Sequence, residues 1–160
     1  MKDMRLYLIR HGEQVPAQID PLQPLSEKGQ FETSEMAAFL NYLGIKVEEI
    51  WHSGKERAKQ TAAIIAEGIA PRSVIEREGL LPDDNVRELA LELVTEEREI
   101  TIVGHLPFLN KLVSRLLTGV DTHPCVNFER SSAVCLERYD NNLWLIIWMM
   151  SPDMIKGQNR

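Results

Sequence analysis

A short apolar run near the start of the chain, Leu-Tyr-Leu-Ile at residues 6–9, most constrains the fold. The run is too short for a helix, and its lack of polar alternation is typical of a strand covered on both faces of a parallel sheet. It ends at Arg10, His11 and Gly12, so a permanent cation and an imidazole directly follow a buried strand. Ligands of open α/β sheets bind just outside the carboxyl ends of strands. We therefore predict a site at this position.

The same pattern recurs late in the chain, where an apolar strand at residues 100–103 ends at Gly104 and His105. Periodicity predicts the remaining elements. Further strands are predicted at residues 47–51, 73–75, 125–129, 132–139 and 143–150. Helices are predicted from the N-cap Ser26 to about Leu43, after Gly54 with one face running from Ala58 to Ile69, after a cap at Asp83 or Asp84, and from Pro107 to Gly119.

This alternation of strands and helices predicts right-handed crossovers and a three-layer α/β/α fold with a mostly parallel central sheet. The hairpin at residues 132–150 is expected to add an antiparallel edge. At 160 residues the chain fits a single domain, which we assign to residues 1–150. Residues 151–160 form a polar C-terminal tail that we expect to be frayed.

Composition and charge limit the kinds of partner and the location that we expect for this protein. The formal net charge of −6 argues against nucleic acid, because affinity for phosphate backbones comes from clustered Lys and Arg. No apolar leader precedes the first strand, and the run at residues 143–150 is far below the ~20 residues that span a bilayer. We expect a cytoplasmic protein without membrane contact. Cys125 and Cys135 match no metal or redox spacing and are expected as small core or strand residues.

A second segment, residues 52–57, is predicted to reach the same edge of the sheet. His52, Ser53 and Gly54 follow the second strand, and Arg57 lies in the first turn of the next helix. Unpaired amides and the positive end of the helix dipole favour an anion there, beside Arg57 and Lys55. In a parallel sheet, His11, this segment and His105 all lie on one rim.

Two histidines and two arginines around one pocket indicate phosphoryl transfer. Arg10 and Arg57 can bind the phosphoryl oxygens through rigid, forked donors that stay charged. One neutral imidazole can attack phosphorus in line, and the other can donate to a phosphate oxygen. His11 is the better nucleophile because it lies between a buried strand and a flexible glycine, and neighbouring arginines should depress its pKa. His105 is then the partner that contacts the phosphate.

Four motifs at strand and helix boundaries carry a resemblance to a known family: R-H-G-E at residues 10–13, L-S-E-K-G at 25–29, R-A-K-Q-T at 57–61 and V-G-H at 103–105. In this order they resemble the histidine phosphatase (phosphoglycerate-mutase-like) superfamily. The resemblance implies the three-layer fold, phosphoryl transfer without metal or cofactor, His11 as the phosphorylated nucleophile, and a phosphate pocket lined by Arg10, Arg57 and His105. The family's usual Ser-Pro before the second arginine is Ser53-Gly54 here.

Only 47 residues separate Arg57 from His105, and most of them already belong to predicted elements. Larger family members insert a lid in this interval, so we expect no lid insertion and an open pocket. The chain therefore resembles the small bacterial phosphohistidine phosphatases of the SixA type. The expected activity is removal of phosphate from phosphohistidine on a signalling or phosphotransfer protein, through a phosphohistidine intermediate on the enzyme. We expect the enzyme to be a monomer. A phosphatase for small phosphate esters and a non-catalytic phosphoprotein-binding module remain as alternatives.

The remaining candidate residues have less defined roles. Glu13, Asp83 and Asp84 are candidate proton donors, or they orient neighbours or cap a helix. Ser53 and Lys55 are candidates for substrate binding. His52 either packs or contacts a ligand, and we expect His123 to be exposed. A metal site built from His11, His105 and Asp83 is disfavoured because two arginines would repel a divalent cation.

Overall fold

The computed structural model describes residues 3–157. Its strands are β1 (Met4–Arg10), β2 (Glu49–His52), β3 (Ser73–Glu76), β4 (Ile100–Gly104), β5 (Ala133–Tyr139) and β6 (Leu143–Met150). Its helices are α1 (Glu27–Tyr42), α2 (Glu56–Ile69), α3 (Arg87–Thr95), α4 (Phe108–Thr118) and α5 (Pro152–Gly157). A short 3₁₀ turn at Asp140–Asn142 joins β5 to β6.

The six strands form one sheet in the order β3-β2-β4-β1-β5-β6. The first four in this order are parallel, whereas β5 is antiparallel to β1 and β6 is antiparallel to β5. The predicted mostly parallel sheet with an antiparallel edge is confirmed. Arg10 pairs with Gly104, and His52 pairs with Val103. Because β1, β2 and β4 end level with one another, the residues that follow them emerge at the same edge.

Both faces of the sheet are covered, which explains the unbroken apolar runs. Side chains of β1 alternate between two core clusters: Leu6 and Leu8 pack with α3 and α4, and Tyr7 and Ile9 pack with α1 and α2. This confirms the three-layer architecture, and no lid is inserted between α2 and β4. No helix within residues 3–157 has the length and apolar character needed to cross a bilayer.

Local sequence signals placed two helices well. The side chain of Ser26 caps α1 as predicted, since its Oγ accepts a hydrogen bond from the Gly29 amide at 3.0 Å. Close packing explains the glycine, because a Cβ at Gly29 would lie 2.1 Å from the Glu13 carbonyl oxygen. The predicted apolar face of α2 is buried; it comprises Ala58, Thr61, Ala62, Ile65 and Ile69.

Two expectations in the second half of the chain are wrong. Residues 125–129 form no strand. Buried and exposed residues do alternate there, since Val126 and Phe128 are buried. However, both edges of β1 are already paired, with β4 and β5. Neither Asp83 nor Asp84 caps α3, whose N-cap is Val86. Asp84 instead accepts a hydrogen bond from the Leu81 amide at 2.8 Å.

Three further details differ from expectation. Pro107 is the N-cap of α4 instead of its first residue. Cys135 is buried in β5 as predicted, but Cys125 is exposed, and both thiols are free. The tail is not frayed over its described part, because α5 packs against α1 with Pro152 buried. Residues 158–160 of that tail lie outside the described residues.

Candidate active site

Three chain segments meet at the carboxyl edge of the sheet: the end of β1, the β2–α2 connection and the end of β4. The backbone N–H of His11 donates to the Gly104 carbonyl at 3.0 Å, which joins the first segment to the third. The rings of His11 and His105 lie 5.0 Å apart between centroids, at an angle of 51°. Both side chains are buried. The structure thus brings together two histidines that are far apart in the sequence.

The hydrogen bond of His11 defines its tautomer. Nδ1 lies 2.7 Å from the Gly12 carbonyl oxygen, and because a carbonyl only accepts, Nδ1 carries the proton. The lone pair is therefore on Nε2. Burial, followed by the charges of Arg57, Arg10 and Arg130, lowers the pKa of His11 to about 4, against the opposing effect of the Gly12 contact. The sequence argument named only the arginines, whereas burial is the larger cause.

Gly12 connects the nucleophile candidate to α2. Its N–H donates to Thr61 Oγ1 at 3.0 Å, and the Thr61 hydroxyl donates to the Arg57 carbonyl at 2.8 Å. A Cβ at position 12 would lie 2.8 Å from Thr33 Oγ1 and 3.0 Å from the Gly29 carbonyl oxygen. The close approach of α1 therefore requires a glycine at this position. The two hydrogen bonds through Thr61 couple the position of His11 to the first turn of α2.

The two predicted guanidinium groups have donors without protein acceptors. Arg10 Nη1 donates to the Phe128 carbonyl at 2.9 Å. Arg10 Nε and Arg57 Nε, in contrast, are buried and bond to no atom of the described chain. Burial lowers the pKa of both arginines, and for Arg10 the charge of Arg130 adds to this. Buried, charged donors of this kind favour an anion as their partner.

His105 is oriented by Ser53. Ser53 Oγ lies 2.6 Å from His105 Nε2, and the Lys55 amide donates to the same oxygen at 3.3 Å. Burial, then the charges of His11, Arg57, Lys55 and Arg10, lowers the pKa of His105 to about 3. Within residues 3–157, His105 Nδ1 is buried without a hydrogen-bond partner. Ser53 therefore positions the imidazole, and the Lys55 charge lies near it.

The predicted proton donors are engaged elsewhere. Glu13 Oε2 accepts from the Ser26 hydroxyl at 2.7 Å, at the start of α1. Asp84 is held by the Leu81 amide, and Asp83 is exposed in the same loop. Across the described chain, none of the three contacts His11 or His105. That part of the chain also contains no cluster of three or more His, Cys, Asp or Glu side chains that could hold a metal ion.

His52 and His123 lie outside this arrangement. His52 is buried and its Nδ1 accepts from the Gly54 amide at 3.0 Å, so it shapes the turn before α2. His123 is exposed, as expected. Sequence reasoning missed Arg130, whose charge acts on His11 and Arg10. The only sequence signal for it was a charged pair, Glu129 and Arg130, immediately before a buried strand.

Comparison with known proteins identifies a matching family model and a similar sequence. Residues 6–81, which include Arg10, His11 and Arg57, match the model of the histidine phosphatase superfamily (branch 1). The chain is 28% identical to phosphohistidine phosphatase SixA of Escherichia coli (strain K12) over 159 residues, which cover 96% of this chain and 97% of that protein.

Solved structures of SixA proteins have the same fold as this chain. A structure of the protein histidine phosphatase SixA complexed with tungstate superposes with a TM-score of 0.83 at 26% identity, covering 94% of this chain and 98% of that one. A SixA-like structure from Agrobacterium tumefaciens gives a TM-score of 0.73 at 19% identity, with coverage of 92% and 97%. The second of these likenesses concerns the fold alone.

Proposed function

We propose that this chain, which belongs to the histidine phosphatase superfamily, removes the phosphoryl group from phosphohistidine on another protein. It is a hydrolase of that family and a homologue of SixA. The observation that carries the proposal is the neutral His11 imidazole, whose Nε2 keeps its lone pair, near two arginines whose buried Nε donors have no acceptor within residues 3–157. The substrate and the role of each residue are the proposed part.

The reaction follows from these groups in two steps. The Nε2 lone pair of His11 attacks phosphorus; the bond from phosphorus to the substrate nitrogen breaks, and its electron pair stays on the substrate imidazole, which leaves as a neutral ring because its other nitrogen carries the proton. Arg10 and Arg57 bind the phosphoryl oxygens, where charge is spread in the transition state. His105 donates to one of them through Nδ1, while its Nε2 accepts from the Ser53 hydroxyl. Water then attacks the phosphorus on His11, the bond to Nε2 breaks, and inorganic phosphate leaves.

The choice of phosphohistidine over an ester is supported by the placement of the carboxyl groups. An alkoxide leaving group needs an acid to protonate it, whereas a phosphohistidine ring protonated on its other nitrogen leaves as neutral imidazole, a far weaker base, without one. Glu13 is bonded to Ser26, and Asp84 is bonded to the loop backbone. The absence of an inserted lid between α2 and β4 also leaves room for a protein surface at the pocket.

The test is dephosphorylation of a protein bearing phosphohistidine, in the presence of EDTA, with rapid quenching at high pH. We expect a phosphoenzyme that is stable in base and labile in acid, and that is absent in His11→Asn. His123→Asn is the matched control, because His123 is exposed and outside the site. A phosphoenzyme that persists in His11→Asn would exclude His11 as the nucleophile.

The same assay decides between the alternatives. High kcat/KM on small phosphate esters without activity on the phosphoprotein would favour the ester phosphatase. Tight binding of the phosphoprotein without turnover would favour the non-catalytic module.

A further inference from the structure

A third guanidinium, that of Arg130, lies in a cavity beside Arg10. Arg130 is exposed, and its side chain makes no hydrogen bond or ion pair within residues 3–157. Together with Arg10 it lines an open cavity of about 280 Å³, whose other lining residues are Glu13, Lys28, Glu32, Glu129, Pro152 and Asp153. Its charge is close enough to lower the pKa of both His11 and Arg10.

The backbone on either side of Arg130 is held firmly against the end of β1. The Phe128 carbonyl accepts from Arg10 Nη1 at 2.9 Å. The Ser131 amide donates to the carbonyls of Arg10 at 3.1 Å and His11 at 3.3 Å, and the Arg10 amide donates to the Ser132 carbonyl at 3.2 Å. The base of the Arg130 side chain is therefore fixed beside the two residues on which its charge acts, while the guanidinium itself is exposed.

The charge environment of this region is unusual for the chain. Five arginines elsewhere form ion pairs with carboxylates: Arg5, Arg72, Arg77, Arg98 and Arg115. Arg10, Arg57 and Arg130 have no carboxylate partner within residues 3–157, although the chain carries a net charge of −6. Two of the carboxylates that line the same cavity are engaged elsewhere, Glu13 with the Ser26 hydroxyl and Glu32 with Lys156. An anion bound between Arg10 and Arg130 supplies the charged partner that neither guanidinium has within residues 3–157.

We propose that Arg130 binds the phosphoryl group of the substrate from the solvent side, as a third guanidinium beside Arg10 and Arg57. The identity of the substrate in this inference rests on the proposed function. The binding of a phosphate dianion by Arg130 does not, and it can be tested with inorganic phosphate alone. Forked guanidinium donors suit the terminal oxygens of phosphate, and three of them can be satisfied by one dianion. Because the side chain is exposed, its contribution is smaller than that of a buried arginine.

The test compares Arg130→Gln with Arg72→Gln. Both changes remove one positive charge, but Arg72 pairs with Glu48 beside the first residue of β3, at the opposite edge of the sheet. The dissociation constant of inorganic phosphate is measured by calorimetry, and kcat/KM is measured on a phosphohistidine protein and on phosphoramidate. We expect Arg130→Gln to weaken phosphate binding and to lower both kcat/KM values by about tenfold, the factor that corresponds to about 1.4 kcal/mol. Arg130→Lys should recover part of the loss.

Each outcome decides the inference. Equal phosphate affinities for Arg130→Gln and Arg72→Gln would overturn it. A loss confined to the phosphoprotein, with phosphoramidate and inorganic phosphate unaffected, would also overturn it and assign Arg130 to contact with the carrier protein. If the wild type does not act on phosphohistidine at all, the proposed function fails, and the calorimetric comparison still decides the role of Arg130.

Discussion

The low pKa of His11 makes folding stability depend on pH in a defined direction. In the unfolded chain a histidine titrates near its ordinary value of about 6.5. In the folded protein, burial holds the pKa of His11 at about 4. Because the folded pKa is the lower one, the unfolded state binds the extra proton as the pH falls. Stability is therefore fully present above about pH 6.5 and is lost progressively between about pH 6.5 and about pH 4.

The magnitude follows from the same linkage. Each pH step of one costs about 1.4 kcal/mol per histidine in this window, so His11 alone accounts for about 2 kcal/mol between about pH 7 and about pH 5. His105, whose pKa is lowered to about 3, adds a decrease of the same sign. The two imidazoles are in contact, so their contributions are expected to be coupled rather than additive.

The assay is urea unfolding followed by tryptophan fluorescence at about pH 7 and about pH 5. The asparagine of His11→Asn does not titrate, and its amide can still donate to the Gly12 carbonyl. Between about pH 7 and about pH 5, we expect the free energy of unfolding of this variant to fall by about 2 kcal/mol less than that of the wild type. His123→Asn, at an exposed position, serves as the matched control. A wild-type slope in His11→Asn, or an NMR titration of His11 near pH 6.5, would refute the reasoning.

Three further predictions concern the support of the site. Arg57→Lys keeps the charge but loses the fork, so kcat/KM on the phosphoprotein should fall at least about tenfold with unchanged unfolding; an unaltered rate would remove Arg57 from the pocket. Thr61→Val leaves the Gly12 N–H without its acceptor, so the free energy of unfolding measured in urea should fall by about 1–3 kcal/mol. An unchanged free energy of unfolding would show that water replaces the hydroxyl. Gly29→Ala forces a Cβ to 2.1 Å from the Glu13 carbonyl oxygen, so thermal unfolding should occur several degrees lower, and an unshifted Tm would contradict the close packing.

The parts of the fold that were predicted correctly depend on local patterns. The runs at residues 6–9 and 100–103 lack polar alternation because both faces of their strands are covered, and this is visible without coordinates. The cap at Ser26 and the buried face of α2 also follow from spacing along one element. The single domain over residues 1–150, the monomeric state and the cytoplasmic location stay predictions.

The errors have a common cause. Buried Val126 and Phe128 alternate as they would in a strand, but a strand also needs a free edge to pair with, and β1 has none. The segment 152–157 was expected to be frayed because it is polar and terminal, yet α1 offers a surface on which it packs. Both outcomes depend on what lies nearby in space, which sequence periodicity does not encode.

By itself, the sequence determined the order of the elements and placed His11, Arg57 and His105 at one edge of the sheet, because strand ends and helix starts are local features. Only the tertiary structure decided how these residues are tuned. Burial is the main cause of the low imidazole pKa values, and Glu13 accepts a hydrogen bond from Ser26. Arg130, which is distant in the sequence, lies close enough for its charge to act on His11. Such properties arise from desolvation and from charges brought together across the chain, and they exist only once the chain has folded.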